Sequence, residues 1–269
     1  MPLTIIQQII LGVIQGITEW LPVSSSGFVA LVMTNFFGIT DLGFLLQSAL
    51  FLHLGTFFAA LIYFRSGVWD LTKSLFNYKQ SERETKLILK FLIISTLISG
   101  ILGLLILKGL TSFESYLDIT GKTITFVVGF LLLFTGAIQV KAKQSGLRKE
   151  LHLKNKDGVL LGFAQGLASL PGISRSGITV STLLLKKFDD TSALRLSFLM
   201  SLPIVLIANI ILNIPDFGQI ITVSSIYGLL AAFVFGLATI HGLMKLSRKI
   251  NFGWFVLVFG GLMLGSLLV

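Results

Sequence analysis

Six stretches of the chain are apolar and long enough to cross a bilayer as helices: 44–64, 87–107, 122–140, 194–214, 223–244 and 252–269. A pair of shorter apolar runs precedes each trio, 3–17 with 28–39 and 159–170 with 178–185. None of these four comfortably spans, and a polar Pro/Ser/Gly turn interrupts each pair. Short helix, polar turn and short helix predict a re-entrant hairpin, which membrane depth tolerates only where protein or a watery cavity satisfies the freed backbone groups. The predicted fold is all-α and polytopic, with six transmembrane helices and two re-entrant helical hairpins.

The two hairpins are also copies of one another. Residues 11–27 and 161–177 align without a gap, and seven of the seventeen positions are identical: Leu11/Leu161, Gly12/Gly162, Gln15/Gln165, Gly16/Gly166, Ser24/Ser174, Ser26/Ser176 and Gly27/Gly177. The chain therefore reads as one transmembrane domain, 1–269, with a first repeat over approximately 1–140 and a second over approximately 151–269. A duplicated, Gly/Pro-interrupted apolar segment points to a site built where the repeats meet.

Composition supports the membrane reading, with 54% apolar and 12% charged residues and a mean hydropathy of +0.91. The net charge of +9 would suggest nucleic acid in a soluble chain; here loop anchoring explains it, so nucleic acid is not an expected partner. Cysteine is absent, which removes disulfides and thiolate chemistry. The opening Met-Pro-Leu-Thr-Ile-Ile has no positive n-region, so a cleaved signal is not expected.

Of 21 Lys and Arg, 17 gather in four places: 65–86, 141–156, 186–195 and 245–249. Placing these in the cytoplasm returns every intervening pair of spans to the same side and leaves the loops around 108–121 and 215–222 outside. Three crossings then separate the copies. The first hairpin enters from outside and the second from inside, an inverted-topology repeat.

Turns that meet near the midplane, each feeding the amino end of a short helix, suit an anion. Ser24, Ser25, Ser26, Ser174 and Ser176 supply hydroxyls there, either to a ligand or as N-caps of the half-helices. Gly12/Gly16 and Gly162/Gly166 are read as close helix packing. Arg175, expensive at membrane depth, is either a phosphate clamp or the partner of Glu19. Glu19, the sole acid of the first hairpin, is a candidate cation ligand or general base, with backbone capping as the alternative. His53, inside a span, is either a core histidine bonded to backbone or a proton shuttle. His152 and His241 receive no role, and the 23 Phe are read as mostly lipid-facing bulk.

Gly-Ile-Thr-Glu-Trp-Leu-Pro-Val-Ser-Ser-Ser-Gly at 16–27, Leu-His-Leu-Gly-Thr at 52–56, Pro-Gly-Ile-Ser-Arg-Ser-Gly-Ile-Thr at 171–179 and Leu-Ser-Phe-Leu at 196–199 followed by Pro203 resemble the undecaprenyl pyrophosphate phosphatase family, the bacitracin-resistance proteins. The resemblance covers essentially the whole chain. It implies a multi-pass plasma-membrane hydrolase, opening to the outer face, that removes the terminal phosphate of a polyprenyl diphosphate to recycle the lipid carrier. It further implies Glu19, Ser25 and Arg175 as catalytic residues, with Ser25 a candidate nucleophile. Ser24, Ser26, Gly27, Ser174, Ser176, Thr179 and Gln15 are the expected substrate-binding set, and Glu19 with Gln15 the expected ligands of Mg2+ or Ca2+. The expected partners are the polyprenyl diphosphate and the membrane, with a homodimer left open.

The chain departs from the family pattern in three places. Gln15 stands where many members carry a Glu paired with the one matching Glu19, Phe28 stands where the family has His, and residues 47–51 lack a usual acid. Gln can offer a carbonyl to a cation but is no base near neutral pH, and Phe can do neither. The alternative function is thus a polyprenyl-phosphate binding or translocating protein with weak or no hydrolysis.

Overall fold

A computed structural model describes residues 3–113, 121–141, 146–170, 172–213, 221–246, 252–265 and 267. Among them the fold is all-helical, with an isolated parallel bridge between Arg148 and Phe188. The helices are α1 Ile5–Thr18, α2 Ser25–Phe37, α3 Leu42–Tyr63, α4 Arg65–Phe76, α5 Arg83–Phe113, α6 Gly121–Lys141, α7 Asn155–Leu167, α8 Arg175–Leu185, α9 Asp190–Leu212, α10 Val223–Leu246 and α11 Phe252–Gly265. With α4 set aside, the order short, short, long, long, apolar runs through α1, α2, α3, α5, α6 and again through α7 to α11.

Four of these, α3, α5, α9 and α10, are long and apolar enough to cross a membrane, whereas α6 and α11 contain shorter apolar runs, Thr125–Lys141 and Val256–Gly265. The basic segment after the first span, expected as a loop, instead forms α4. Its apolar positions Trp69, Leu75 and Phe76 are exposed alongside Lys73. Of the predicted outer loops at 108–121 and 215–222, residues 108–113 instead continue α5, while 114–120 and 215–220, with Pro171 of the second turn, lie outside the described residues.

Local chemistry fixes where helices begin. Thr4 and Gln7 form a reciprocal capping box at α1, the Asp41 carboxylate accepts from the Phe44 amide at α3, and Asp189 accepts from the Ser192 amide at α9. Gly38 ends α2 at φ 69°, a left-handed conformation that only glycine takes without strain. Pro203 sits inside α9, where it has no N–H to give the preceding turn.

Packing between the halves is crosswise. The first short helix of each half lies along a long helix of the other half or the other trio: α1 on α10, and α7 on α5, while α6 packs on α11. Both repeat glycine pairs sit at these seams. A Cβ on Gly12 or Gly16 would run into the α10 backbone at Gly228, Ala232 and Gly236, and one on Gly162 or Gly166 into Ile98 or Leu102 of α5. The packing reading of those glycines holds.

The largest buried cluster centres on Trp20, Phe91, Phe188 and Phe198. Trp20 meets Phe198 edge to face at 4.9 Å and donates its indole N–H to the Gly236 carbonyl at 2.9 Å, pinning the first turn to α9 and α10. The outer faces are apolar instead of polar: Leu97, Ile101 and Leu105 on α5 and Phe126, Phe130 and Phe134 on α6 are all at least half exposed. Such a surface suits lipid, not water.

Candidate active site

The α1–α2 and α7–α8 turns are stitched to each other. Ser24 adopts φ 64° as the N-cap of α2, and its hydroxyl accepts from the Gly27 amide at 3.3 Å and from the Gly172 amide of the other turn at 3.1 Å. In return the Ser176 hydroxyl donates to the Leu21 carbonyl at 2.8 Å. A left-handed serine costs backbone energy, and here it is held by both turns at once. Two elements 150 positions apart thereby share one polar centre.

Glu19, just past the end of α1, occupies that centre at 5% exposure. One carboxylate oxygen, Oε1, accepts from Arg175 Nη2 at 2.6 Å. The other, Oε2, accepts from the Ser25 hydroxyl at 2.6 Å and the Gln15 amide at 2.8 Å, and faces His53 Nε2 at 3.1 Å. Arg175 also donates to the Ser197 carbonyl at 3.0 Å, which anchors its fork against α9. His53 Nδ1 lies 2.6 Å from the Ala49 carbonyl, which can only accept, so Nδ1 carries a proton. The result is a hydroxyl, a carboxylate, an imidazole and a guanidinium in unbroken contact.

A cavity of about 130 Å³ opens against this network. Glu19, Ser24, Ser25, Ser26, His53, Ser174, Arg175 and Ser176 form one wall. Leu50, Ala168, Ile173, Ile204, Val205 and Ala208 supply its apolar wall, and Gln165 and Ser169 add two further polar side chains. Polar and greasy walls in one small cavity match an amphiphile with an anionic head.

The family model described as Bacitracin resistance protein BacA matches residues 8–264. The chain belongs to the BacA family. Its relatives in this family include proteins named undecaprenyl-diphosphatase from Methanococcoides burtonii, 41% identical over 96% of both chains, and Haloarcula marismortui, 38% identical over 98% of both. A further relative of that name, from Methanothrix thermoacetophila, is 37% identical over 95% of this chain and 94% of its own.

Against the BacA-family expectation, most predicted residues come together and three stand back. Gln15 is fully buried behind Glu19 and does not line the cavity; its amide nitrogen braces the carboxylate. Gly27 lies one turn into α2 and gives its amide to Ser24. Thr179, expected in the phosphate grip, bonds the Arg175 carbonyl at 2.7 Å and the Ser197 hydroxyl at 2.7 Å, so it ties α8 to α9 beneath Arg175. Ser174 caps α8 through the Gly177 amide at 3.1 Å while also lining the cavity, so the capping and site readings coexist.

Both readings of Arg175 and both of His53 likewise meet in one geometry. Arg175 pairs with Glu19 and lines the cavity, and His53 bonds backbone through one nitrogen while the other reaches Glu19. At the position after the first turn, where the resemblance leads to an expected imidazole, Phe28 packs against the cluster of Val23, Val128, Leu132, Val256 and Met263. His53 delivers an imidazole from α3 instead. Sequence reasoning missed Gln165, Ser169 and the apolar wall, although the Gln15/Gln165 identity was a signal for one of them.

The expected divalent cation finds no prepared site. Hard cations take about six oxygen ligands, usually with several carboxylates. Here the cavity's one carboxylate has both oxygens occupied by N–H and O–H donors, and the carbonyl of Gln15 is buried away from the cavity without a partner. Among the described residues no group of three or more His, Cys, Asp or Glu could hold a metal ion.

Proposed function

We propose that this chain is a multi-pass membrane hydrolase that removes the terminal phosphate of a polyprenyl diphosphate of undecaprenyl type, regenerating the monophosphate carrier. The observation that carries the reading is the Ser25 hydroxyl at 2.6 Å from a carboxylate whose other oxygen sits 2.6 Å from Arg175. A hydroxyl held by a base beside a phosphate-sized cation is the arrangement of an activated nucleophile. The names of the relatives agree with it.

In this reading the diphosphate displaces Glu19 from Arg175, whose planar fork then takes two phosphate oxygens. Freed of that partner, Glu19 accepts the Ser25 proton. Ser25 Oγ bonds to the terminal phosphorus as the bond to the bridging oxygen breaks, and the proton passes through the Glu19/His53 pair to the departing prenyl monophosphate. Arg175 and the amide-bearing amino end of α8 neutralise charge on the phosphoryl group in the transition state. Leu50, Ile204, Val205 and Ala208 take the first isoprene units.

The two helix–turn–helix pairs serve as re-entrant hairpins of an inverted repeat, with α6 and α11 completing six spans, and the site faces the outer side of the plasma membrane. Supporting this are the crosswise packing and the collection of cations at one end of the helices, where Arg148, Lys186 and Arg195 cluster with Asp157, Glu84 and Glu150. The test is release of inorganic phosphate from undecaprenyl diphosphate by purified protein. Phosphate release at a rate proportional to protein supports a hydrolase. Tight binding of the lipid with no release would assign the site to translocation instead.

A further inference from the structure

Gln165 is the repeat counterpart of Gln15 and the only cavity-lining amide not accounted for by the chemistry above. It is 4% exposed. Its Nε2 donates to the Ser99 hydroxyl at 3.0 Å, and that hydroxyl gives its own proton to the Thr96 carbonyl at 3.3 Å. With the Ser99 proton on the Thr96 carbonyl, the end of the amide that faces Ser99 is its nitrogen. The other end, Oε1, is buried and has no hydrogen-bond partner among the described residues. Leaving a buried acceptor unpaired is costly, and of the orphaned acceptors this one belongs to a residue on the cavity wall, where a ligand can meet it.

The two copies of the repeat have diverged here in a chemically pointed way. Both amides give their N–H away, Gln15 to Glu19 four residues on and Gln165 to Ser99, and both leave Oε1 without a partner, but Gln165 lines the cavity where Gln15 does not, and position 169, the counterpart of Glu19, is Ser on the same cavity wall. A free carbonyl oxygen repels phosphate oxygens and accepts only from a donor. The donor that diphosphate hydrolysis requires is water.

We propose that Gln165, with Ser169 beside it, holds the hydrolytic water that attacks phosphorylated Ser25; the proposal rests on the hydrolase reading above. The water oxygen bonds to phosphorus as the bond to Ser25 Oγ breaks. One water hydrogen leaves on the hydrogen phosphate released; the other goes to the Glu19/His53 pair, which returns a proton to Ser25 Oγ. Gln165 is a positioning residue for the second half-reaction alone.

The experiment follows both halves with undecaprenyl diphosphate. Gln165→Met keeps the side-chain volume without the acceptor. It should release a burst of about one prenyl monophosphate per protein, trap phosphate on Ser25 visible by mass spectrometry, and lower steady-state phosphate release about 10²-fold, the usual cost of a misplaced reactant. Gln165→Glu restores an acceptor and should turn over its phosphoserine faster than Gln165→Met. A slowed Gln165→Met with no burst and no phosphoserine, equal turnover of phosphoserine in the two variants, or a wild-type rate in Gln165→Met would each overturn the proposal. Absence of phosphate release by the unsubstituted protein would instead remove the hydrolase reading, and this proposal with it.

Discussion

Glu19 and Arg175, 156 positions apart in sequence, form a buried ion pair at 2.6 Å that joins the two repeats. Neither could be kept at this depth alone, since an unpaired charge there costs several kcal/mol. The pair also blocks catalysis as it stands, because a carboxylate engaged by a guanidinium is a poor base. In the proposed reaction a diphosphate relieves this by offering Arg175 a better-matched fork partner, which makes substrate entry and base activation one event.

Glu19→Gln should therefore abolish turnover, by at least about 10²-fold for loss of a positioned base, while leaving binding of a non-hydrolysable diphosphonate within several-fold. It should also lower the melting temperature, since removing one partner of a buried pair costs about 3–5 kcal/mol. Phosphate release at the unsubstituted rate would show that the base lies elsewhere.

Arg175→Lys preserves charge and loses the fork. The ammonium can reach one oxygen of Glu19 or of phosphate, but not two in a plane. The expected outcome is a higher KM together with a lower kcat. Equal kinetics and equal analogue affinity in the two proteins would refute the clamp.

His53→Gln separates the two roles that meet in the imidazole. An amide at this position can still donate to Glu19 Oε2 but cannot relay a proton. The fold should therefore survive, with kcat reduced by about 10²-fold and KM nearly unchanged. A kcat within two- to threefold of the unsubstituted protein would make His53 a packing residue.

Much of this site was legible in the sequence because the repeat carried it. A gapless match between 11–27 and 161–177 fixes which turns meet, and the cost of Arg175 in an apolar segment fixes what one of them brings. The convergence of Glu19, Ser25 and Arg175 follows. What the sequence left open are contacts whose spacing has no period: His53 reaches Glu19 from the middle of α3, and half of the apolar wall, Ile204, Val205 and Ala208, comes from α9 beyond Pro203. Where a buried amide comes to rest is equally invisible, so Gln15 and Gln165, identical in the alignment, differ in that only Gln165 lines the cavity. Helix α4 was missed because its charges resemble a loop and its apolar positions Trp69, Leu75 and Phe76 are exposed instead of packed into the core that a periodic pattern would have signalled.

Restoring the family's residues tests why this chain tolerates their loss. Gln15→Glu places a second carboxylate against Glu19 where an amide now donates at 2.8 Å, and two buried like charges repel unless a cation or proton lies between them. The substitution should therefore cost stability in chelator and regain it with Mg2+ or Ca2+, read as a cation-dependent melting temperature. Adding Phe28→His puts an imidazole where Phe28 packs against Val23 and Val128, so the double variant should lose some core packing yet hydrolyse faster when cation is supplied. Its rate should also fall more on chelation than that of the unsubstituted protein, whose carboxylate is already satisfied by Arg175, Ser25 and Gln15. Equal sensitivity to chelator in both proteins would mean that a cation is held without the second carboxylate, and that the donor saturation of Glu19 is lifted when substrate binds.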